Sequence, residues 1–159
     1  MNIRPATLND GPDICEMAAR FMESTVYGQL IAWEPAPLAD LVYAVLEQGT
    51  IFVAEERVPP FGRLDPGEPV EKALIGMLAL VPRTHPMNHT RYADELCWWV
   101  EPEHRGGSAA VRLLDAAEGW ARENRLSVLK MVAPAGSELG KHYERRGFVL
   151  VESTYQKTL

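Results

Sequence analysis

Apolar positions along this chain recur with two different periods. Ile14, Met17, Ala18, Phe21 and Met22 follow a helix-start signal at Asn9 to Pro12 and repeat at helical spacing. Leu38, Leu41, Val42, Val45 and Leu46 form a second stripe, and Gly49 stops it. Residues 108–123 carry a third stripe, with Leu113, Leu114, Ala117, Trp120 and Ala121 on one face and Arg112, Asp115, Glu118 and Arg122 on the other. Short continuous runs predict strands at Ile51 to Glu55, Ala73 to Val81, Glu95 to Val100 and Val128 to Ala133. Residues 2–6 predict an edge strand, where Pro5 is tolerable. Residues 57–71, rich in Pro, Gly and charge, predict a loop, and Pro82 to Asn88 a break. Residues 137–146 predict a short helix, followed by two closing strands at Phe148 to Val151 and Thr154 to Lys157. The order β-α-α-β-β-β-α-β-α-β-β predicts one α/β domain over residues 1–159, with helices covering both faces of a mixed sheet.

Composition narrows the classes without choosing a function. A chain of 159 residues, 47% hydrophobic and 24% charged, is an ordinary globular domain. No apolar run approaches the roughly 20 residues needed to span a bilayer, and the first residues lack a signal-peptide core, so a cytoplasmic protein without membrane attachment is expected. The net charge of −6 argues against a nucleic-acid partner, which needs a basic stripe, and tilts the expectation toward a cationic small molecule. Cys15 and Cys97 build no disulfide framework, and the scattered histidines predict no metal site; Pro86 breaks any helical pairing of His85 with His89.

The segment Val100-Glu101-Pro102-Glu103-His104-Arg105-Gly106-Gly107-Ser108-Ala109-Ala110 changes the picture. A strand ends, a loop of small residues follows, and a helix begins. Such a helix start presents unpaired N–H groups and the positive end of the helix dipole, a site suited to pyrophosphate. Gly106 and Gly107 allow close backbone approach, Ser108, Ala109 and Ala110 keep the helix start unobstructed, and Arg105 supplies a charge for a phosphate oxygen. A plain strand-to-helix turn has the same local pattern. The dinucleotide and P-loop patterns are both absent.

A second segment, His142-Tyr143-Glu144-Arg145-Arg146-Gly147-Phe148, closes a short helix at glycine and enters an extended stretch. Taken together the chain resembles the GNAT N-acetyltransferase superfamily. Val-x-Pro-x-x-Arg-Gly-x-x-x-Ala at 100–110 resembles that family's acetyl-CoA pyrophosphate loop, Tyr-x-x-x-Gly-Phe at 143–148 resembles its C-terminal motif, and Ile-Arg-Pro-Ala-Thr at 3–7 is similar to a common opening. One position departs: Ser108 stands where the family loop usually has its first glycine. Serine is small and its hydroxyl suits an N-cap.

The resemblance implies a mostly antiparallel sheet with a splayed parallel pair, Glu95–Val100 and Val128–Ala133, and acetyl-CoA as co-substrate. Its pantetheine arm would lie in the gap like an added strand, bonded by backbone groups near Trp98, Trp99 and Val100, one of which would also face the thioester carbonyl. The acceptor would be a primary amine of a small molecule or peptide, attacking directly, and homodimers are frequent in the family. Glu95 is the first candidate for the general base, with Asp94 and Glu101 as alternatives, and a merely solvated strand-end carboxylate is an equal reading of Glu95. Tyr143 is the candidate general acid for the departing thiolate; a ring packed beside the cofactor is the plainer reading. Cys97 lacks a base partner in sequence and is expected to be inert. Of Trp98 and Trp99, on alternate faces of one strand, one is expected in the core and the other at the acyl or acceptor pocket, with Tyr27 and Trp33 either lining the acceptor site or anchoring its loop. A catalytically silent acyl-CoA-binding module is the alternative from another class.

Overall fold

The computed structural model describes residues 1–58, 71–134 and 136–158. Its sheet has five strands in sequence order: β1 (Asn2–Pro5), β2 (Thr50–Val58), β3 (Glu71–Thr84), β4 (Arg91–Val100) and β5 (Val128–Lys130). The first four pair antiparallel and β5 joins β4 in parallel, so the predicted mixed sheet is present. Most of the predicted loop falls at 59–70, outside the described residues.

Five α-helices lie among the described residues: α1 (Gly11–Ser24), α2 (Val26–Leu30), α3 (Pro35–Gln48), α4 (Ala109–Glu123) and α5 (Leu139–Arg145). The stripes read from the sequence are the buried faces. Leu113, Leu114, Ala117 and Ala121 of α4 are almost fully buried, and α4 packs on one side of the sheet against Phe52, Leu78, Leu80 and Ala93. Ile14, Met17 and Ala18 of α1 and Val42 and Val45 of α3 pack on the other side against Ile51, Val53, Met77 and Trp99. Alternation along each strand divides the side chains between these two cores.

Arg4 gives the opening motif a physical role. Its Nη2 reaches Asp10 at 2.7 Å and its Nε reaches the buried Glu55 at 2.9 Å, while Asp10 also accepts the Thr7 backbone N–H at 2.7 Å. One guanidinium fork thus fastens β1, the turn before α1 and β2 together.

Four expectations need correction. Residues 26–30 form a helical turn where a connection was expected, and β3 continues through Pro82 to Thr84, pairing Pro82 with Ala93. A proline is tolerated in a strand wherever its missing N–H is not required by the ladder. The larger difference is at the C-terminus: Phe148 to Val151 and Thr154 to Lys157 form no strand, and Val149, Leu150 and Val151 are 77–81% exposed. Lys130 holds Glu152 at 2.8 Å, so the tail passes β5. Beyond Lys130, the Val132 N–H donates to Glu95 of β4, and its carbonyl accepts from Tyr143 of α5. The same bonds explain why β5 ends at Lys130, short of the predicted Ala133.

Candidate active site

The parallel register couples Tyr92, Ala93 and Asp94 of β4 to Val128, Leu129 and Lys130 of β5 and goes no further. Beyond Asp94 the β5-side edge of β4 has no strand partner, which leaves a gap between the two strands. β4 is itself irregular here. Cys97 pairs with Ala79 and Glu95 with Leu80, leaving Leu96 as an extra residue in a β-bulge. Bulges re-aim side chains at strand edges. This one was not foreseen, because no residue pattern in Glu95-Leu96-Cys97 marks it.

Glu95 lies at the start of the gap, 9% exposed, and its Oε2 accepts the Val132 N–H at 2.7 Å from across the opening. Burial, reinforced by the neighbouring charge of Asp94 and opposed by the Val132 bond, pushes its carboxyl up from 4.5 to about 7. The other two carboxylates are engaged differently. Asp94 is bound by Arg83 at 2.9 Å, and Glu101 by Arg20 at 2.8 Å. Among the described residues, Glu95 is the carboxylate at the gap that has no cationic partner. The equal reading of Glu95 as a solvated strand-end group is overturned by its burial.

Tyr143 faces the same point from α5. Its hydroxyl donates to the Val132 carbonyl at 3.2 Å, and its ring stacks on Trp98 with centroids 5.9 Å apart. Burial, with Glu95 nearby, raises the phenol far above its ordinary range, so it remains protonated. The Tyr-x-x-x-Gly-Phe pattern is what positions it. Gly147 adopts φ +86°, the Phe148 N–H returns to the Tyr143 carbonyl at 3.1 Å, and the Gly147 N–H returns to Glu144 at 3.0 Å. This is a Schellman helix end, completed by its apolar contact: the Phe148 ring lies 5.3 Å from that of Tyr143. Arg146 then ties α5 to α4 through Asp115 and Glu118, at 2.5 and 3.0 Å.

The loop before α4 forms a backbone cradle. The residues run through a 3-10 turn (Pro102–His104) into Gly106 at φ +80°, a conformation that favours glycine. From Gly106 to Val111 no backbone N–H has a hydrogen-bond partner among the described residues, and α4 begins with the Arg112 N–H bonded to the Ser108 carbonyl at 3.0 Å. A cluster of free N–H groups at the start of a fifteen-residue helix suits a pyrophosphate. Two details differ from expectation. Ser108 is already helical, at φ −82° and ψ −6°, and its hydroxyl makes no capping bond. Arg105 turns back toward the strand: its Nε donates to the Val100 carbonyl at 2.9 Å, and its guanidinium sits 4.5 Å over the Trp99 ring. Its contact is therefore cation–π and backbone, which shapes the loop from within.

The two tryptophans lie in different surroundings. Trp99 is 6% exposed in the α1/α3 core, edge-on to Phe21 at 6.5 Å, and Trp98 lies beside the gap against Tyr143. The indole N–H groups of both are buried without a partner. Cys97 is held protonated by burial and by the charge of Glu95, which raise its thiol well above the ordinary range and disfavour it as a nucleophile. Trp33 is half-buried; the side chain of Tyr27 lies outside those described. Among the described residues no group of histidine, cysteine and carboxylate side chains could hold a metal ion, and no helix is long and apolar enough to cross a membrane.

The acetyltransferase (GNAT) family model matches residues 19–148. Three solved structures show the same fold at low identity. A ribosomal-protein-alanine N-acetyltransferase from Brucella melitensis biovar Abortus 2308 is 18% identical, with a TM-score of 0.65 and all of both chains covered. AAC(6')-Iy, solved with the bisubstrate analogue CoA-S-monomethyl-acetylneamine, is 17% identical, with a TM-score of 0.69, covering 99% of this chain and 98% of that one. A protein described as a transcriptional regulator from Bacillus halodurans C-125 is 14% identical, with a TM-score of 0.72 and 99% of both chains covered. No curated protein matches the chain in sequence.

Proposed function

The chain belongs to the GNAT acetyltransferase family, and from that premise we propose that it transfers an acetyl group from acetyl-CoA to a primary amine by direct attack. The observation that carries the reading is the convergence of Glu95 and Tyr143 on the two polar groups of Val132, at the mouth of the β4–β5 gap. Gly106 to Ala110 hold the pyrophosphate by their free N–H groups, and the unpaired edge of β4 at Trp98 to Val100 bonds the pantetheine arm.

Glu95 receives a proton from the incoming ammonium. A carboxylate with a pKa of about 7 is half ionised near neutral pH and is a stronger base than an exposed glutamate. The amine nitrogen then forms a bond to the thioester carbonyl carbon, the carbon–sulfur bond breaks with the electron pair leaving on sulfur, and the nitrogen gives up its second proton to solvent, leaving the neutral amide. Tyr143 supplies the proton that yields the CoA thiol. Its raised pKa owes part of its height to the negative charge of Glu95, so neutralising Glu95 in the first step makes the phenol a better acid in the last. The two groups work in order because they share one environment.

The test is calorimetric titration with acetyl-CoA, followed by thiol release from acetyl-CoA with primary amines. Saturable binding and amine-dependent release are expected. Binding without release for any amine points to a silent acyl-CoA-binding module, and no binding by wild type or by Ser108→Gly removes the acetyltransferase reading.

A further inference from the structure

The helix that carries Tyr143 is only seven residues long, too short to be stable by itself. Tyr143 is its one buried side chain. Among the described residues, two side chains of α5 bond to polar groups elsewhere in the domain. The Tyr143 hydroxyl donates to the Val132 carbonyl at 3.2 Å. The Arg146 guanidinium, just past the last turn, donates from Nη2 to Asp115 Oδ1 at 2.5 Å and to Glu118 Oε1 at 3.0 Å. Those two carboxylates are three residues apart and share one face of α4. The other oxygen of Glu118 accepts from Arg122 at 2.7 Å, so the grip on Arg146 is a network and not a lone surface pair.

The first of the two contacts does not survive the proposed reaction. A phenol carries one proton, and here that proton is given to Val132. To protonate sulfur, the hydroxyl must turn away from the Val132 carbonyl. Arg146 is then the polar tether that α5 keeps, beside the packing of the Tyr143 ring against Trp98 and Phe148. The tether acts close to the phenol: the Arg146 N–H donates to the Tyr143 carbonyl at 2.9 Å, so a shift at one residue is passed to the other. It also ends on the helix whose first turn forms the backbone cradle. The turn that closes α5 depends on Gly147 and Phe148 and makes no use of the Arg146 side chain, which is therefore free for this task.

We propose that Arg146 is a positioning residue for the proton-donating step: by gripping Asp115 and Glu118 it fixes α5 on α4, and so holds the Tyr143 hydroxyl in place relative to the cradle when it lets go of Val132 and meets the leaving sulfur. The inference rests on the acetyltransferase reading with Tyr143 as the acid. Arg146 touches no reacting atom and acts through Tyr143.

The experiment measures kcat and KM for acetyl-CoA in Arg146→Met, in Arg146→Lys and in the double variant Asp115→Asn with Glu118→Gln, each also in a Tyr143→Phe background. Arg146→Met is expected to lower kcat by about ten- to a hundredfold, the cost of misplacing a reacting group by about an ångström, with KM little changed. Arg146→Lys keeps the charge without the planar fork and is expected to recover part of the loss, while the carboxylate double variant is expected to reproduce it. In Tyr143→Phe the same changes are expected to move kcat by less than about twofold, because nothing is left for Arg146 to position. Equal losses in both backgrounds, or a rise in KM that matches the fall in kcat, overturn the proposal and leave Arg146 a general support of the fold. Fluorine NMR of protein labelled with fluorotyrosine gives a readout without turnover, the Tyr143 line being assigned by its loss in Tyr143→Phe. That line is expected to shift or broaden in Arg146→Met and to return toward its wild-type position in Arg146→Lys. A line unmoved in Arg146→Met overturns the proposal whatever happens to kcat. If wild type acetylates no amine, the acetyltransferase reading fails by itself, and the Tyr143 line still decides whether Arg146 fixes the phenol.

Discussion

The two faces of one sheet differ sharply in what they bury. On the α4 face, beside the gap, a phenol is stacked on Trp98 and shares the two polar backbone groups of Val132 with a buried carboxylate. On the α1/α3 face, the same stretch of β4 contributes Leu96, Cys97 and Trp99 to apolar surroundings. Consecutive residues 95 to 99 thus serve two environments, and the bulge at Leu96 sets which side chain goes where. The polar groups of the proposed reaction and the apolar core lie on opposite sides of one strand. Substitutions on the first face should move kcat or pH dependence, and conservative substitutions on the other should leave both nearly unchanged.

The largest expected effect is on the α4 face. Tyr143→Phe and Glu95→Gln should each lower kcat by about 10²- to 10⁴-fold with little change in acetyl-CoA affinity, as read by steady-state thiol release and calorimetry. An unchanged kcat in Tyr143→Phe would reduce that residue to a packing role. In wild type kcat/KM should rise with pH and level off above about pH 7, as Glu95 ionises, and Glu95→Gln should remove that limb.

Stability offers a second handle on the same carboxylate. Its pKa is raised on folding, so the folded state binds this proton more tightly than the unfolded chain. The group is therefore neutral and harmless below about pH 4.5, and its ionisation destabilises the fold progressively between about 4.5 and 7. At about 1.4 kcal/mol per pH unit the full cost is about 3 kcal/mol at pH 8. Denaturant unfolding should find Glu95→Gln more stable than wild type at pH 8 and about equal to it at pH 4. A variant less stable at pH 8 would mean that the Val132 bond outweighs the burial of charge.

A smaller effect is expected at the cradle. Gly106→Ala meets no neighbouring atom but must hold φ +80°, which costs about 1–2 kcal/mol. Acetyl-CoA affinity should fall by about tenfold, with the fold intact by circular dichroism. The smallest effect separates the faces most cleanly. Cys97→Ala should leave kcat for methylamine within about threefold of wild type, because the thiol is kept protonated and bonds to nothing in the reaction. Loss of activity there would restore a covalent route.

Local patterns were enough to read much of this protein from its sequence. The helical stripes of α1, α3 and α4 are periodic, and the cradle at 105–110 and the Tyr-x-x-x-Gly-Phe helix end are short segments whose conformation is set by glycine and by backbone geometry. What the tertiary structure decided involves partners distant in sequence. Arg20 neutralises Glu101 from α1, and Arg83 neutralises Asp94 from β3, so that of three neighbouring candidate carboxylates Glu95 alone is left buried without a cation. Arg105 looked like a phosphate ligand by position, and its ring partner Trp99 turns it inward. The closing strands were credible by composition, but a strand is defined by its neighbour, and among the described residues no strand pairs with residues 148–158. Sequence determined the elements, because periodicity and helix ends are local; the structure decided the bulge, the gap and the ionisation of Glu95, because each depends on what the folded chain brings alongside.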